Sequence, residues 1–430
     1  MTLTGRSALA ALAGVLVILA ARDGVALLVV NGVLLVAIAA DVALAAGTRS
    51  LQLTRSGETK VLLGQSAPVT LTVANRRRRA LRADIRDAWP PSAGAQPHHV
   101  RVRVPATGQA TLTTTLTPTR RGDKRAAVVT IRSLGPLGLA ARQARRPVPW
   151  TVRVLPPFGS RRHLPGKLSR LRQLDGQHQA LLRGQGSEFD SLREYVVGDD
   201  VRSIDWRATA RRREVVVRTW RPERDRRILI VLDTGRTSAG RVAGIPRLDT
   251  AMDAALLLTA LAVRAGDRID FLAMDRRLRA RVVGAARSAV LPAITDAMAA
   301  IEPELVETDA AALASAALTT ARRRSLIVLL TDLNPAAVEE GLLPRLPLLA
   351  ARNQVLVAAV ADPALAEMAA GRADAGRVYA AAAAEQARAG RQRTSALLQR
   401  HGALVVDAPP DRLPPVLADA YLELKAAGRL

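Results

Sequence analysis

The chain begins with two long apolar runs that a short polar turn separates. Residues 7–21 carry no charge, and residues 24–40 are apolar apart from Asn31, with the run continuing past Asp41 to residue 47. A helix needs about 20 residues to cross the roughly 30 Å hydrocarbon core of a bilayer. The pattern therefore predicts a transmembrane helical hairpin over residues 1–49.

A signal peptide is the other interpretation of the first run, which follows Arg6. We favour the hairpin because a second apolar run follows at once and no clean small-residue cleavage site precedes it. Arg49, Arg55 and Lys60 lie after the hairpin, as Arg6 lies before it. Since positive residues favour the cytoplasmic side, we expect a two-pass protein of the cell (inner or plasma) membrane with cytoplasmic soluble domains.

The next hundred residues alternate between apolar and polar positions. Examples are VTLTV at residues 69–73 and VRVRV at residues 100–104, with turn residues such as Ser56-Gly57 between the runs. Period-two alternation indicates strands with one buried face and one solvated face. About seven such strands predict an all-β immunoglobulin-like sandwich.

The C-terminal half alternates continuous apolar runs with segments of helical spacing. The runs include ILIVL at residues 228–232, SLIVLL at residues 325–330 and QVLVAAV at residues 354–360, as expected for strands that helices cover on both faces. This order predicts a doubly wound, Rossmann-type α/β fold. Ligands bind beyond the carboxyl ends of such strands, and three of these ends carry acids, namely Asp233, Asp332 and Asp362.

The composition narrows the functional classes. The chain has 430 residues, no cysteine and a net charge of +25, so a disulfide framework and a thiolate metal site are both excluded. The arginines are spread along the chain without a basic aromatic platform, so we expect no specific nucleic-acid partner. Residues 76–79 are four consecutive arginines, which we interpret as a solvated turn, with a lipid or nucleic-acid patch as the alternative.

A segment that precedes the first α/β strand combines aromatic residues with interleaved acids and arginines. Ten of its residues form a candidate partner-binding or structural motif: Glu188, Phe189, Arg193, Tyr195, Asp199, Asp200, Arg202, Asp205, Trp206 and Arg211. Residues 188–196 have helical spacing and predict a short helix, residues 203–207 predict the start of a second helix, and residues 214–220 predict a strand.

Three roles are open for this segment: a latch onto the following domain, a partner-binding surface, or a catalytic pair of carboxylates. Catalysis is disfavoured because the neighbouring arginines keep the acids ionised. The chain also has no P-loop, no H-E-x-x-H and no G-x-S-x-G sequence. We therefore expect a protein that is not an enzyme and has no catalytic residues.

The α/β half resembles a von Willebrand factor A domain, a family that binds Mg²⁺ through a D-x-S-x-S loop, a threonine from another loop and a later aspartate. Asp233, Thr237 and Asp332 match this pattern, whereas Gly235 lacks the hydroxyl of the first serine and Arg236 adds a cation. Losing one oxygen ligand weakens a magnesium site without excluding it. The resemblance therefore implies a degenerate site, with Mg²⁺ as the only candidate cofactor.

The whole arrangement resembles the "domain of unknown function 58" family of membrane-anchored bacterial proteins. The resemblance rests on G-x-E-F-x-x-L-R-x-Y-x-x-G-D-x-x-R-x-I-x-W-x-x-x-A-R, which begins at Gly186 and ends at Arg211. It implies four regions: a transmembrane hairpin (residues 1–49), a β-sandwich (50–157), a linker that carries the motif (158–226) and a von Willebrand factor A-like domain (227–430).

Members of that family have no established enzymatic activity and are often encoded beside MoxR-type AAA+ ATPases. The resemblance therefore implies a non-enzymatic, membrane-anchored scaffold or assembly adaptor that acts with such an ATPase. The alternatives are a magnesium-dependent, adhesion-type ligand-binding protein and a basic nucleic-acid-binding or lipid-binding protein.

Overall fold

The computed structural model describes residues 2–48, 51–181, 188–212, 214–221 and 226–430. The chain divides into two compact units, Met1–Pro157 and Phe158–Leu430. Each unit has its own sheets and its own buried core.

The first unit opens with two antiparallel helices, α1 (Gly5–Ala21, 17 residues) and α2 (Gly24–Leu44, 21 residues). The Asp23 side chain caps α2 by accepting a hydrogen bond from the Val25 amide at 3.1 Å. At 1.5 Å per residue, α2 is about 32 Å long. Within the described residues, α2 is the one helix both long and apolar enough to cross a membrane, while α1 is an apolar helix of shorter length.

The first unit also contains ten strands, and the longer ones show the alternation of apolar and polar positions that predicts the sandwich. They are β1 (Thr2–Leu3), β2 (Leu51–Gly57), β3 (Lys60–Leu62), β4 (Ala67–Asn75), β5 (Leu81–Asp87), β6 (Ala95–Gln96), β7 (His99–Val104), β8 (Gln109–Leu116), β9 (Gly122–Leu134) and β10 (Ala140–Leu155). One sheet has the order β1-β10-β9-β5-β7, with β3 on β10, and the other has the order β2-β4-β8-β6. A short 3-10 turn, Pro91–Ala93, precedes β6.

Both sheets contribute to the core of this unit, so the expected β-sandwich is confirmed. Leu71 and Val73 of β4 pack with Leu81 and Ile85 of β5 and with Ile131 of β9, and all five side chains are at most 2% exposed. These residues occupy alternate positions of their strands, as a sandwich core requires.

The second unit contains the remaining elements. They are α3 (Leu164–Leu181), β11 (Glu188–Glu194), α4 (Trp206–Arg212), β12 (Val216–Arg221), β13 (Arg227–Asp233), α5 (Arg236–Ala239), β14 (Arg241–Val242), β15 (Ile245–Pro246), α6 (Arg247–Arg264), β16 (Arg268–Met274), β17 (Leu278–Val282), α7 (Val290–Ala299), α8 (Ala310–Thr320), β18 (Leu326–Leu330), α9 (Leu346–Ala350), β19 (Gln354–Val360), α10 (Ala364–Ala369), α11 (Ala375–Arg400), β20 (Ala403–Ala408) and α12 (Leu413–Ala426). Shorter turns are the 3-10 segments Gly159–His163, Val201–Ser203 and Leu343–Arg345 and the π-helix Ala337–Leu342.

The main sheet of this unit has the order β17-β16-β13-β18-β19-β20. All neighbours are parallel except β17, which pairs antiparallel with β16 at the edge. One core cluster contains Ile230 and Leu257, and another contains Val231 and Leu346. Because Ile230 and Val231 are adjacent in β13 and point to opposite faces, helices cover both faces of the sheet, as the continuous apolar runs predict.

Candidate functional site

The carboxyl ends of β13 and β18 form the point at which the order of the sheet reverses. β16 and β17 lie on one side of this pair, and β19 and β20 lie on the other. In open α/β sheets, ligands bind at such a switch point. Asp233 is the last residue of β13, and Asp332 follows the end of β18 by two residues. The sheet thus brings two of the three predicted metal ligands together.

A cavity of about 250 Å³ opens at this switch point. The third predicted ligand, Thr237 of α5, lines it together with Asp233 and Asp332. The apolar part of the wall includes Leu313 and Leu329. One side is formed by the π-helix Ala337–Leu342, an uncommon element that often occurs at functional sites.

The Asp233 carboxylate is buried and both of its oxygens accept hydrogen bonds. Its Oδ1 accepts from the Gly235 amide at 2.8 Å and from the Thr308 hydroxyl at 2.5 Å, and its Oδ2 accepts from the Thr331 hydroxyl at 2.6 Å. Burial raises the pKa of Asp233 above its ordinary value, and these hydrogen bonds oppose that effect only in part. Ionising Asp233 in the folded protein therefore costs more free energy than ionising a carboxyl in water.

Gly235 leaves the space that Thr308 needs to reach Asp233. A Cβ atom at position 235 would lie 2.3 Å from the Thr308 hydroxyl oxygen and 2.9 Å from the carbonyl oxygen of Val306. A serine here would meet the same contacts. The glycine that departs from the D-x-S-x-S pattern is thus explained by a threonine that donates directly to the aspartate.

Asp332 is held by two arginines that come from distant helices. Its Oδ2 accepts from Arg247 Nη1 at 2.8 Å, and its Oδ1 accepts from Arg391 Nη1 at 2.6 Å. Arg391 also pairs with Asp407 at 2.7 Å and donates to the carbonyl of Val360 at 3.0 Å. Burial lowers the pKa of Arg391, but the hydrogen bonds and charges of Asp407 and Asp332 outweigh burial and raise it overall.

These contacts do not fit a magnesium ion. Magnesium requires near-octahedral ligation by oxygen atoms at 2.0–2.1 Å. Each oxygen of Asp332 faces a guanidinium group, and both oxygens of Asp233 are already hydrogen-bond acceptors. Within the part of the chain that the structure describes, no group of three or more His, Asp or Glu side chains has metal-binding geometry.

Sequence reasoning missed Thr308, Arg247 and Arg391 as members of this site. Thr308 lies 75 residues from its partner Asp233, and Arg391 lies 59 residues from Asp332. No local sequence pattern marks a threonine as the donor to a distant acid. The two arginines are not marked either, because the chain has 63 lysines and arginines and any of these could pair with an acid. These side chains come next to the acids only when the sheet and its helices have folded.

The candidate motif folds as a separate small sheet. β11 and β12 pair antiparallel, with Arg193 opposite Val217 and Glu194 opposite Val216. We call residues 188–212 and 214–221 the motif hairpin. The predicted helix over residues 188–196 is wrong, because main-chain pairing with β12 holds this segment as a strand. The predicted second helix and the predicted strand are confirmed as α4 and β12.

Two acids of the motif hairpin form ion pairs within it. Asp199 pairs with Arg193 at 2.5 Å, and Asp205 pairs with Arg218 at 2.8 Å. Asp205 also caps α4 by accepting from the Arg207 and Ala208 amides, both at 3.0 Å.

These contacts lower the pKa of both acids. For Asp199 the largest cause is the hydrogen bond from Arg193, and for Asp205 it is the amide of Ala208, followed by Arg218. Both carboxyls are therefore ionised near neutral pH, which makes them poor general acids.

The remaining motif residues are distributed over the same hairpin. Asp200 caps the 3-10 turn by accepting from the Arg202 amide at 3.0 Å, and Arg211 is exposed on α4. The Tyr195 amide donates to the carbonyl of Val215 at 2.8 Å. Glu188 and Phe189 lie in β11 opposite Arg221 and Trp220 in the backbone register, and Gly186 lies outside the described residues.

The motif hairpin exposes apolar side chains. Trp206 is 67% exposed and Val197 is 94% exposed, and the other exposed apolar residues of the hairpin are Val196, Val201 and Val215. Val216 and Val217 are buried, yet neither belongs to the two core clusters of the main sheet. The motif hairpin therefore presents Trp206 to solvent.

Comparison with known proteins shows which family this part of the chain is similar to. Residues 191–396 match the family described as "Protein of unknown function DUF58", so the resemblance drawn from the motif is confirmed over that range. Uncharacterized protein Rv1480 of Mycobacterium tuberculosis and uncharacterized protein Mb1516 of Mycobacterium bovis are each 32% identical to this chain over 195 residues. Those matches cover 44% of this chain and 60% of each relative.

Similarity to solved structures is weak. The CARDB domain of the PF1109 protein from Pyrococcus furiosus is 17% identical, with a TM-score of 0.19, over 24% of this chain and 86% of that one. Proximal thread matrix protein 1 from the mussel byssus is 11% identical, with a TM-score of 0.28, over 47% of each chain. Neither similarity supports a conclusion about function.

Proposed function

We propose that this chain is a non-enzymatic, membrane-anchored scaffold or assembly adaptor whose motif hairpin binds a protein partner. The observation that carries this proposal is the group of exposed apolar side chains on that hairpin, above all Val197 and Trp206. Single exposed apolar residues are ordinary, but five of them lie within about twenty residues of sequence on this one small element, and we interpret them as an interaction surface. An exposed tryptophan is also among the residues that most often dominate the energy of an interface.

The same surface argues against the latch interpretation. A latch would bury Trp206 against the neighbouring domain, whereas this side chain is two-thirds exposed. The acids of the motif pair with Arg193 and Arg218 inside the hairpin. The ion pairs therefore fix the shape of the surface, and the apolar side chains remain available to a partner.

The partner we propose is an AAA+ ATPase of the MoxR type, as the family resemblance implies. The match of residues 191–396 supports the family, and the exposed hairpin supports a protein ligand of some kind. A role without catalysis is supported by the low pKa of Asp199 and Asp205 and by the two arginines that neutralise Asp332.

We further propose that residues 227–430 form a von Willebrand factor A-like domain and that the chain is two-pass with cytoplasmic soluble domains. The strand order and the acids after β13 and β18 support the first idea. The antiparallel apolar helices α1 and α2 support the second. The magnesium-dependent alternative has no support in the geometry of Asp332.

Photo-crosslinking in cells tests the partner-binding role. A photoreactive residue would replace Val197 or Trp206 in the full chain, and Tyr379, which is 79% exposed on α11, is the matched control position. We expect one ATPase to be captured from both hairpin positions and not from position 379. Capture of the same proteins from all three positions, or of lipid or nucleic acid alone, would contradict the proposal.

A topology reporter tests the orientation separately. A fusion to Leu430 with a reporter that is active only in the cytoplasm is expected to be active. Activity of a periplasmic reporter at the same position would show that the positive-inside argument fails for this chain.

A further inference from the structure

Both ends of the helical hairpin meet the same end of the β-sandwich. The Asp41 side chain, near the end of α2, accepts hydrogen bonds from the amides of Leu137, Leu139 and Ala140 at 2.7–2.8 Å. Before α1, the Thr4 hydroxyl donates to the carbonyl of Gly138 at 2.6 Å. Residues at both ends of the helical hairpin therefore bind the turn between β9 and β10. These contacts fix the orientation of the β-sandwich relative to α1 and α2.

The strand directions place a second turn at this end. Leu51, the first residue of β2, pairs with Asn75, the last residue of β4. Leu81, the first residue of β5, pairs with Val104, the last residue of β7. The turn over residues 76–80 and the turn over residues 105–108 therefore lie at the end of the sandwich that contacts the helical hairpin formed by α1 and α2.

The four consecutive arginines, residues 76–79, lie in the turn over residues 76–80, beside the end of the helical hairpin. A Cβ atom on Gly47 would lie only 2.9 Å from Nη1 of Arg77. Gly47 follows the last residue of α2 by three positions. The Arg77 guanidinium is therefore close to the level at which the longer apolar helix ends.

Asn75 holds the backbone of the turn in one conformation. Its Nδ2 donates to the carbonyls of Arg79 at 2.8 Å and Pro105 at 3.0 Å, and its Oδ1 accepts from the Arg77 amide at 3.1 Å. The Thr107 amide donates to the carbonyl of Arg77 at 2.9 Å. Asn75 itself is only 4% exposed, so the turn is built into the sandwich and presents its side chains in a fixed place.

The arginine side chains themselves are exposed. Within the residues that the structure describes, no carboxylate pairs with Arg76, Arg78 or Arg79. Two further arginines sit at the same end, because Arg142 donates to the carbonyl of Val42 at 2.9 Å and Arg146 to that of Thr48 at 3.5 Å. This end of the sandwich is thus strongly cationic where the apolar helix stops.

We propose that Arg76, Arg78 and Arg79 form a binding site for the phosphate headgroups of anionic phospholipids. A cluster of basic residues next to the end of a membrane helix is attracted to the negative surface of the bilayer. The guanidinium fork suits phosphate oxygens. The site holds the sandwich against the membrane surface, and it rests on the membrane anchor proposed above.

The absence of cysteine makes a direct test practical. Ala80 is exposed at the end of the same turn, so Ala80→Cys gives a single labelling position for a polarity-sensitive dye in the full chain. The labelled chain would be reconstituted in nanodiscs of phosphatidylcholine with increasing fractions of phosphatidylglycerol. We expect the dye emission to rise and shift to shorter wavelength as phosphatidylglycerol is added, and the response to weaken with added salt.

The variant that tests the site is Arg78→Gln with Arg79→Gln, and its matched control is Arg120→Gln with Arg125→Gln. The control pair is also exposed but lies at the other end of the sandwich, beside and in the first part of β9. Removing the turn arginines is expected to weaken binding of the turn to the anionic surface by roughly fivefold per arginine, so the dye response should need a higher phosphatidylglycerol fraction. The control is expected to change it little, and equal unfolding temperatures of the two variants would show that both fold.

Four outcomes would overturn the lipid site. They are an equal response in neutral and anionic discs, an equal loss in both variants, the same response to glycerol phosphate in neutral discs, and binding of an oligonucleotide that needs Arg78 and Arg79 without any lipid response. A chain that fails to float with neutral vesicles would instead contradict the anchor itself. Flotation without a phosphatidylglycerol response would contradict only the headgroup site.

Discussion

Asp41 in the first unit and Asp233 in the α/β unit are both buried acids with hydrogen bonds to both carboxylate oxygens, yet their donors differ in kind. Asp41 is 0% exposed and accepts only from main-chain amides. Asp233 is 5% exposed and accepts from one amide and from the hydroxyls of Thr308 and Thr331. Main-chain donors are fixed by the fold, whereas hydroxyl groups can rotate to donate or to accept.

This difference separates a structural acid from one that can respond to a ligand. The donors to Asp41 belong to a turn whose position depends on the carboxylate, so loss of the acid leaves three main-chain amides without this acceptor, and the Ala140 amide among them is buried. The hydroxyls around Asp233 can reorganise, and the site adjoins a cavity of about 250 Å³. The comparison predicts large effects at Asp41 and small, condition-dependent effects at Asp233.

The largest expected effect is that of Asp41→Ala. A buried amide that loses its acceptor costs roughly 1–3 kcal/mol. Only the Ala140 amide is buried, and the part-buried amides of Leu137 and Leu139 should cost less, so these contacts should lose on the order of 3 kcal/mol in total. Hydrogen exchange of the Leu137, Leu139 and Ala140 amides in detergent-solubilised full chain would measure this loss. Asn31→Ala is the control, because the Asn31 side chain is exposed and bonds only within its own helix. Unchanged protection of the three amides would refute the structural role of Asp41.

Two glycines next to these acids give the second effect. A Cβ on Gly135 would lie 2.1 Å from Asp41 Oδ1 and 2.4 Å from the Asp41 carbonyl, and a Cβ on Gly235 would lie 2.3 Å from the Thr308 hydroxyl. At position 135 the backbone carbonyl lies only 2.4 Å away and cannot move aside. At position 235 the nearest atom belongs to a threonine side chain that can change its rotamer, and the closest backbone atom, the Val306 carbonyl oxygen, lies farther away at 2.9 Å. We expect Gly135→Ala to cost about 3 kcal/mol of unfolding free energy and Gly235→Ala about 1 kcal/mol.

Denaturant unfolding of the two alanine variants measures these costs. Gly32→Ala in α2 is the control, because nothing lies within 4 Å of its Cβ position. A larger loss at position 235 than at position 135 would reverse the proposed contrast between the two acids.

Local periodicity was sufficient to predict the main elements. The apolar runs predict β13, β18 and β19 to within a residue or two, because a strand buried on both faces must be apolar throughout. The period of two predicts the sandwich strands for the same kind of reason. The edge strand β17, which pairs with β16 and alternates exposed with half-buried residues, was not predicted.

Predictions failed where the outcome depends on a partner distant in sequence. The segment over residues 188–196 has helical spacing, but pairing with β12, which begins more than twenty residues later, makes it a strand. The acids Asp233 and Asp332 were identified because they follow strands. Their partners Thr308 and Arg391 were not, because a hydroxyl or a guanidinium has no sequence pattern that names its acceptor.

The third effect is a pH dependence at Asp233. Burial raises the pKa of this carboxyl, so between the ordinary carboxyl pKa and the raised value the folded state binds a proton that the unfolded state has lost. Stability from this group therefore falls as pH rises through that window. Asp233→Asn lacks this loss, so its stability relative to the wild type should increase as pH rises from the ordinary carboxyl pKa through the raised pKa of Asp233.

Asp275→Asn is the control of opposite sign in the same unit. Burial raises the pKa of Asp275, but the hydrogen bond from Arg279 and further hydrogen bonds outweigh it and lower the pKa overall. The wild-type carboxylate therefore stabilises the fold above the ordinary carboxyl pKa, and the variant should become relatively less stable as pH rises. Hydrogen exchange of the β13 amides as a function of pH measures both. Parallel pH profiles for the two variants would contradict the assignment.

The smallest expected effect is that of Mg²⁺. A ligand present at 100 times its Kd stabilises a protein by about 2.7 kcal/mol, so an occupied site would be easy to detect in thermal unfolding of the full chain. We expect no shift at millimolar Mg²⁺ relative to NaCl of equal ionic strength, because Arg247 and Arg391 each occupy one oxygen of Asp332 and the Thr308 and Thr331 hydroxyls donate to Asp233. A stabilisation of the wild type that Asp233→Asn abolishes would show that the ion displaces these donors. In that case the contrast with Asp41 would be sharper still, since the α/β site would exchange its partners for a metal while the main-chain donors around Asp41 cannot be exchanged in this way.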